Sequence, residues 1–165
     1  MADQPIVTED QVWDALREVP DPEIPTVSVV DLGVILRVEL DQAAGHARVL
    51  LMPTFTGCPA IEIMRELIRE RIGLLGLRAQ VDVTREERWS SDRISAAGRR
   101  GLTQAGIAPP GPVEHSTIIP LIEPAQCPHC GSRRTTLESA FGPTLCRAIA
   151  HCRECRQSFE QFKPL

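Results

Sequence analysis

The chain has 165 residues, 42% hydrophobic and 24% charged, which fits one compact domain or a small domain with an appended module; four Phe, two Trp and no Tyr make a poor platform for stacking bases. The formal charge of −4 is uneven: residues 1–120 hold 12 basic and 18 acidic side chains, residues 121–165 hold 6 and 4, a footprint too thin for nucleic acid and better suited to a protein partner. No apolar stretch approaches the roughly 18–20 residues of a membrane helix, and MADQPIVTED lacks the basic start and apolar run of a signal peptide, so a cytoplasmic location is expected.

Residues 8–19 read as a helix: Thr8 caps it, Gln11 takes the reciprocal capping-box position, and Val12, Leu16 and Val19 recur at helical spacing. Pro20, Pro22 and Pro25 end it and hold an extended acidic loop containing Asp21 and Glu23. After the apolar residues 27–30, Asp31-Leu32-Gly33 turns the chain into a strand over 34–40. Residues 41–45 form a hairpin loop, and 47–52 return as a second strand closed by Pro53. A helix follows Pro59, with Ile61, Met64, Leu67, Ile68 and Ile72 in one stripe. Ala79, Val81 and Val83 alternate as a third strand. Residues 91–104 are amphipathic, with Ile94 and Leu102 inward and arginines outward. Residues 107–112 break regular structure and read as a linker, and an extended run over 116–122 leads into a cysteine module.

That module carries two CxxC pairs, Cys127/Cys130 and Cys152/Cys155, separated by 21 residues. A two-residue gap lets both thiolates of a pair reach one ion, and four thiolates favour tetrahedral zinc, or iron in a rubredoxin-like site. A metal there holds together a module too small for a core of its own, and the filled site offers no place for a substrate. Residues 135–141 and 145–150 suit two ribbon strands, and Phe159 and Phe162 a third. His129 and His151 adjoin ligand cysteines and are candidate substitutes for them, but read first as solvent-facing knuckle positions. Cys146 is read either as a core or interface thiol or as an additional thiol near the ion.

A second constellation joins DPEIPTVSVVDLG (21–33) with PTFTGCPA (53–60). Cys58 precedes Pro59, which suits the first turn of a helix, and a thiol there meets unpaired amides and the positive end of the dipole. If the acidic loop folds over this point, Asp21, Glu23, Asp31 and Cys58 converge at one end of the sheet, able to hold a metal transiently or to grip a client. The alternative is that Cys58 packs as a small residue and the acids satisfy turn amides. An enzyme reading lacks its residues: there is no run of Glu and His at diiron spacing, no nucleotide loop, and no evident base for Cys58.

DPEIPTVSVVDLG with TFTGCPA resembles the MIP18-type domain associated with iron–sulfur protein assembly. RWSSDRISAAGRRGLTQAGIAPP (88–110), followed by CPHCGS, FGPTLC and HCRECRQSFEQFKPL, is similar to the PaaD (or PaaJ) family, small accessory subunits encoded with the bacterial phenylacetyl-CoA epoxidase. The resemblance runs from about residue 12 to residue 165. With the elements above it leads to an α+β expectation. A MIP18-like domain (helix, two-stranded hairpin, helix, third strand, helix) covers 1–110, a linker and extended lead-in 111–122, and a four-cysteine zinc-ribbon-like β module 123–165.

The resemblance implies an accessory protein of a multicomponent ring-epoxidising oxygenase in phenylacetate catabolism, without catalytic residues of its own. Such a protein assists iron or iron–sulfur centre assembly in the reductase or oxygenase subunits. It further implies structural zinc on Cys127, Cys130, Cys152 and Cys155, with iron or an iron–sulfur cluster as transient cargo. Cys58 becomes the MIP18-type cysteine, with Asp21, Glu23 and Asp31 around it, and Cys146 matches a family position. The alternative is a structural zinc-ribbon interaction subunit with no transferable metal. A homodimer stays open.

Overall fold

A computed structural model describes residues 7–113, 123 and 125–165; the run expected over 116–122 lies outside the described residues. The chain divides into two compact units, Met1–Arg88 and Trp89–Leu165.

In the first unit, α1 (Glu9–Arg17) opens with the expected capping box, the Gln11 amide donating to the Thr8 hydroxyl and the Thr8 amide to the Gln11 side chain. β1 (Ile35–Asp41) pairs antiparallel with β2 (His46–Leu51), and β3 (Arg78–Val83) joins β2 in parallel, giving the order β1-β2-β3. The parallel pair requires a crossover, supplied by α2 (Ile61–Gly73). Val38, Val49 and Val81 lie in register and buried on one sheet face. Met64, Ile68 and Ile72 of α2 and Val12 and Leu16 of α1 supply the buried helical stripes of the same unit. The other face is charged: Arg48 bridges Asp82 at 2.8 Å and Glu39 at 3.7 Å. Strand alternation thus separates a dry face from a solvated one.

The acidic segment between α1 and β1 is folded back rather than extended. Pro20 bridges Ser28, and the amides of Val29 and Val34 donate to the carbonyls of Val19 and Val29. Ile24, Val27, Val29, Leu32 and Val34 are buried. The Met52 amide donates to the Val34 carbonyl at 2.8 Å, joining the end of this segment to the start of the loop that carries Cys58.

The second unit begins with a 3-10 turn (Ser91–Arg93) and α3 (Ala96–Gln104), capped by the Ser95 hydroxyl on the Gly98 amide at 2.9 Å. Then come β4 (Ile107–Ala108), β5 (Thr135–Ser139), β6 (Arg147–Cys152) and β7 (Ser158–Phe162), in the order β4-β7-β6-β5. β5, β6 and β7 form the antiparallel ribbon, and β4 adds to β7 in parallel. Residues 107–112, expected to lack regular structure, therefore start with a strand. Two residues give no periodicity, and what makes them a strand is their distant partner, Glu160–Gln161. Other contacts bind this segment to the ribbon. Trp89 packs at a tilt against Phe162 with ring centroids 5.8 Å apart, and the Ser91 amide donates to the Leu165 carbonyl at 2.9 Å. Arg99 is not simply outward: its guanidinium donates to the carbonyls of Pro110 and Ser91.

Candidate metal centre

Each cysteine pair sits on a tight knuckle built the same way. In the first, the Gly131 amide donates to the Cys127 carbonyl and the Cys127 amide to the Ser132 carbonyl, both at 2.9 Å. In the second, Arg156 to Cys152 and Cys152 to Gln157 repeat those bonds at 2.9 Å. The fourth residue after the leading cysteine is left-handed in both, Gly131 at φ 74° and Arg156 at φ 60°. Glycine takes that conformation without strain, whereas arginine does not.

The two knuckles bring Cys127, Cys130, Cys152 and Cys155 together, with all four Sγ atoms within 4.8 Å of one another. Cys127 and Cys155 are 3.7 Å apart and Cys130 and Cys152 3.6 Å. A tetrahedron of sulfurs around zinc at about 2.3 Å has edges of about 3.8 Å, so these two pairs are already at the spacing that ion requires. The donor set also asks for a cation. Backbone amides of Cys155 and Glu154 pull the Cys152 thiol down to about 7, despite its burial. The Gln157 amide pulls on Cys155, but burial and the three neighbouring sulfurs outweigh it and push that thiol up to about 12. Against the pull of the Ser132 amide and Cys155, Cys130 is raised too, by burial and the Cys152 and Cys127 sulfurs. The Cys152 thiolate forms readily, whereas Cys130 and Cys155 resist until a positive ion compensates them.

Two of these ligands are also core residues: Cys127 and Cys152 cluster with Ala108, Ala150 and Phe159, with Ala125 and Cys155 packed against them. Ala108 brings β4 into the hydrophobic cluster that includes these sulfurs. His129 stands edge-on to Phe159 with centroids 6.5 Å apart, and His151 meets Ser158 and Glu138 across the ribbon. Neither belongs to the sulfur cluster. Cys146 is buried at the opposite end of β6, its thiol against the Thr144 hydroxyl at 3.1 Å. Six strand steps of about 3.3 Å put it about 20 Å from Cys152, out of reach of the ion.

The second expected constellation is arranged differently. Asp21 is buried and accepts the amides of Glu23 and Ile24, each at 2.8 Å, while Asp31 accepts the Ser28 hydroxyl at 2.8 Å. Cys58 is half-buried in the loop leaving β2, after a left-handed Gly57 at φ 85°. α2 begins two residues later than expected for a proline in its first turn: its N-cap is Ala60, which makes no side-chain capping bond, and the Cys58 carbonyl accepts the Ile61 amide at 3.4 Å. Among the described residues, the four tail cysteines are grouped within ligand reach of one ion, and Asp21, Glu23, Asp31 and Cys58 are not.

The class of protein follows from this pairing of a small α+β domain with a metal ribbon. Residues 9–84 match the family described as an iron–sulfur cluster assembly protein, and residues 118–163 match the PaaD zinc beta ribbon domain. In fold, the chain is similar to a conserved hypothetical protein of Thermotoga maritima, with 26% identity, a TM-score of 0.50, and cover of 61% of this chain and 96% of that one. It is 37% identical over 92 residues to an Fe-S protein maturation auxiliary factor of Porphyromonas gingivalis, 53% of this chain and 84% of that protein.

The chain belongs to the PaaD family: it is 37% identical over 155 residues to a putative 1,2-phenylacetyl-CoA epoxidase subunit of Escherichia coli, 93% of this chain and 91% of that protein. These relatives bear the names of a subunit and an auxiliary factor. Among the described residues, no helix is long and apolar enough to cross a membrane.

Proposed function

We propose that this chain is a cytoplasmic accessory protein of a multicomponent phenylacetyl-CoA ring-epoxidising oxygenase. It helps install or repair iron or iron–sulfur centres in the reductase or oxygenase subunits and does not catalyse the ring chemistry. The observation that carries this reading is a division of roles among the thiols. Four of them close on one another with tetrahedral spacing, a donor set that suits structural zinc because no position is left open. Cys58 is not one of them. It stands where β2 ends and α2 begins, at the carboxyl ends of the parallel pair β2–β3, the end at which open sheets bind ligands.

Exposed apolar side chains mark the same end: Ile63 in the first turn of α2 and Val83 at the end of β3, opposite Leu51. They suit contact with a client polypeptide. Asp21 and Asp31 shape the adjoining segment by satisfying its turns, and Cys58 meets the transferred metal or the client.

The test is a Cys58→Ala chain co-produced with the reductase. About one zinc per chain is retained, while iron, sulfide and visible absorbance of the reductase fall below stoichiometry. A fully metallated reductase beside that variant refutes the role of Cys58. The closed site equally suits a structural interaction subunit with no cargo. That reading requires normal client metal content even when the whole chain is withheld, together with loss of the assembled complex.

A further inference from the structure

The tip between β5 and β6 is held in one conformation by bonds from several directions. Ser139 exchanges hydrogen bonds with the backbone of Phe141 at 2.9 and 3.0 Å. The Gly142 amide donates to the Arg147 carbonyl at 3.0 Å, and a Cβ at Gly142 would lie 2.8 Å from that oxygen. The Lys163 ammonium donates to the Leu145 carbonyl at 2.9 Å and lies 5.8 Å from the centre of the Phe141 ring. This ordered tip nevertheless leaves Phe141 79% and Leu145 61% exposed. An aromatic and an aliphatic side chain presented on a backbone that is already ordered have the makings of a binding anchor.

The first unit carries a surface of the opposite kind. Two hollows, of about 290 and 270 Å³, flank the Glu18–Arg71 ion pair where α1 and α2 meet, and share Leu74, itself 76% exposed. Val19, Pro20 and Leu67 form the apolar lining of the larger. Glu70 stands at its rim and makes no ion pair among the described residues. Lys163 at the tip makes none either. One surface is an apolar knob with an uncompensated cation; the other is an apolar hollow with an uncompensated anion.

We propose that these surfaces bind each other between two copies of this chain, with Phe141 and Leu145 of one seated against Leu67 and Leu74 of the other and Lys163 facing Glu70. Because knob and hollow are different surfaces, each contact joins unlike patches on the two copies. The inference is independent of any metal cargo.

Sedimentation of the zinc-loaded chain across micromolar to submillimolar concentrations tests it. The chain associates reversibly. Phe141→Ser and Leu74→Asp each weaken association by about thirtyfold or more, with zinc content and circular dichroism unchanged. Equal mixing of those two variants restores a pair through the one contact still complete. Glu70→Lys, which leaves the tip untouched, weakens association, whereas Glu70→Asp retains it. A wild-type chain that stays monomeric overturns the proposal. So does association that survives either substitution, or a tip that instead binds the reductase while Leu74→Asp has no effect.

Discussion

Metal removal should expose Trp89. The cluster that includes Cys127 and Cys152 has one large side chain, Phe159, beside Ala108 and Ala150. Burying a phenylalanine and two alanine methyls is worth about 3–5 kcal/mol, whereas four-ligand zinc in small domains supplies about 10–16 kcal/mol. The ion is the larger stabilising contribution, and chelation should open this cluster. Ala108 lies on β4, and Trp89 packs at 5.8 Å against Phe162 of β7, so the 89–110 segment should be released with the ribbon. In a Trp13→Phe chain, Trp89 is the single tryptophan. Its emission should move to the red as a strong chelator withdraws zinc, in step with the thiols becoming titratable. In the reciprocal Trp89→Phe chain, Trp13, half-buried on α1, should not respond. Unchanged Trp89 emission with four newly reactive thiols would refute the assignment of 89–110 to the ribbon and restore a boundary at residue 110.

The knuckle geometry predicts opposite outcomes at its two left-handed positions. Gly131→Ala should lower the stability of the zinc-loaded second unit by about 1–2 kcal/mol, read from the shift of its unfolding midpoint. Arg156→Gly should leave it unchanged or raise it by up to about 1 kcal/mol, because relief of left-handed strain outweighs the greater freedom of the unfolded chain. Gly142→Ala should destabilise the second unit by about 1–3 kcal/mol, read by thermal melting of the Trp89 signal, since its Cβ would meet the Arg147 backbone. Ile68→Ala, at a fully buried position on α2, should cost about 2–5 kcal/mol in the Trp13-reported transition and leave zinc content unchanged.

The residues that announced themselves in the sequence are those whose signal is local. The Thr8/Gln11 box, the Ile61–Ile72 stripe and the alternation of Val81 with its neighbours each depend on side chains within a few positions of one another, and each produced the expected element. The four tail cysteines belong to the same class, because CxxC spacing dictates a knuckle before any tertiary contact forms. β4 was missed for the converse reason. Nothing within residues 105–112 distinguishes a strand from a linker; the pairing with Glu160–Gln161 is more than 50 positions away. The folding back of the acidic segment was likewise hidden, since three prolines suggest extension while the Pro20–Ser28 bridge and the buried Val29 and Val34 depend on long-range packing.

That distant pairing also gives a physical reason for the resemblance found in residues 88–110. Trp89, Ser91, Arg99 and Ala108 are tied to Phe162, Leu165, Pro110 and the metal cluster, all in the second unit. Chemistry constrains those positions together with the cysteines, because a ribbon with two cysteines among the five residues of its core cluster gains from an added strand and an aromatic lid. The assembly-type match ends at residue 84, and this attachment begins at Trp89. A fragment comprising 89–165 should therefore bind zinc and fold on its own, judged by a cooperative melt of Trp89. A shorter fragment starting at 111 should bind zinc through the same four thiols yet melt at a lower temperature, having lost Ala108 from the hydrophobic cluster and Trp89 from Phe162. Equal melting temperatures, followed by circular dichroism because the shorter piece has no tryptophan, would mean that β4 decorates the ribbon without stabilising it.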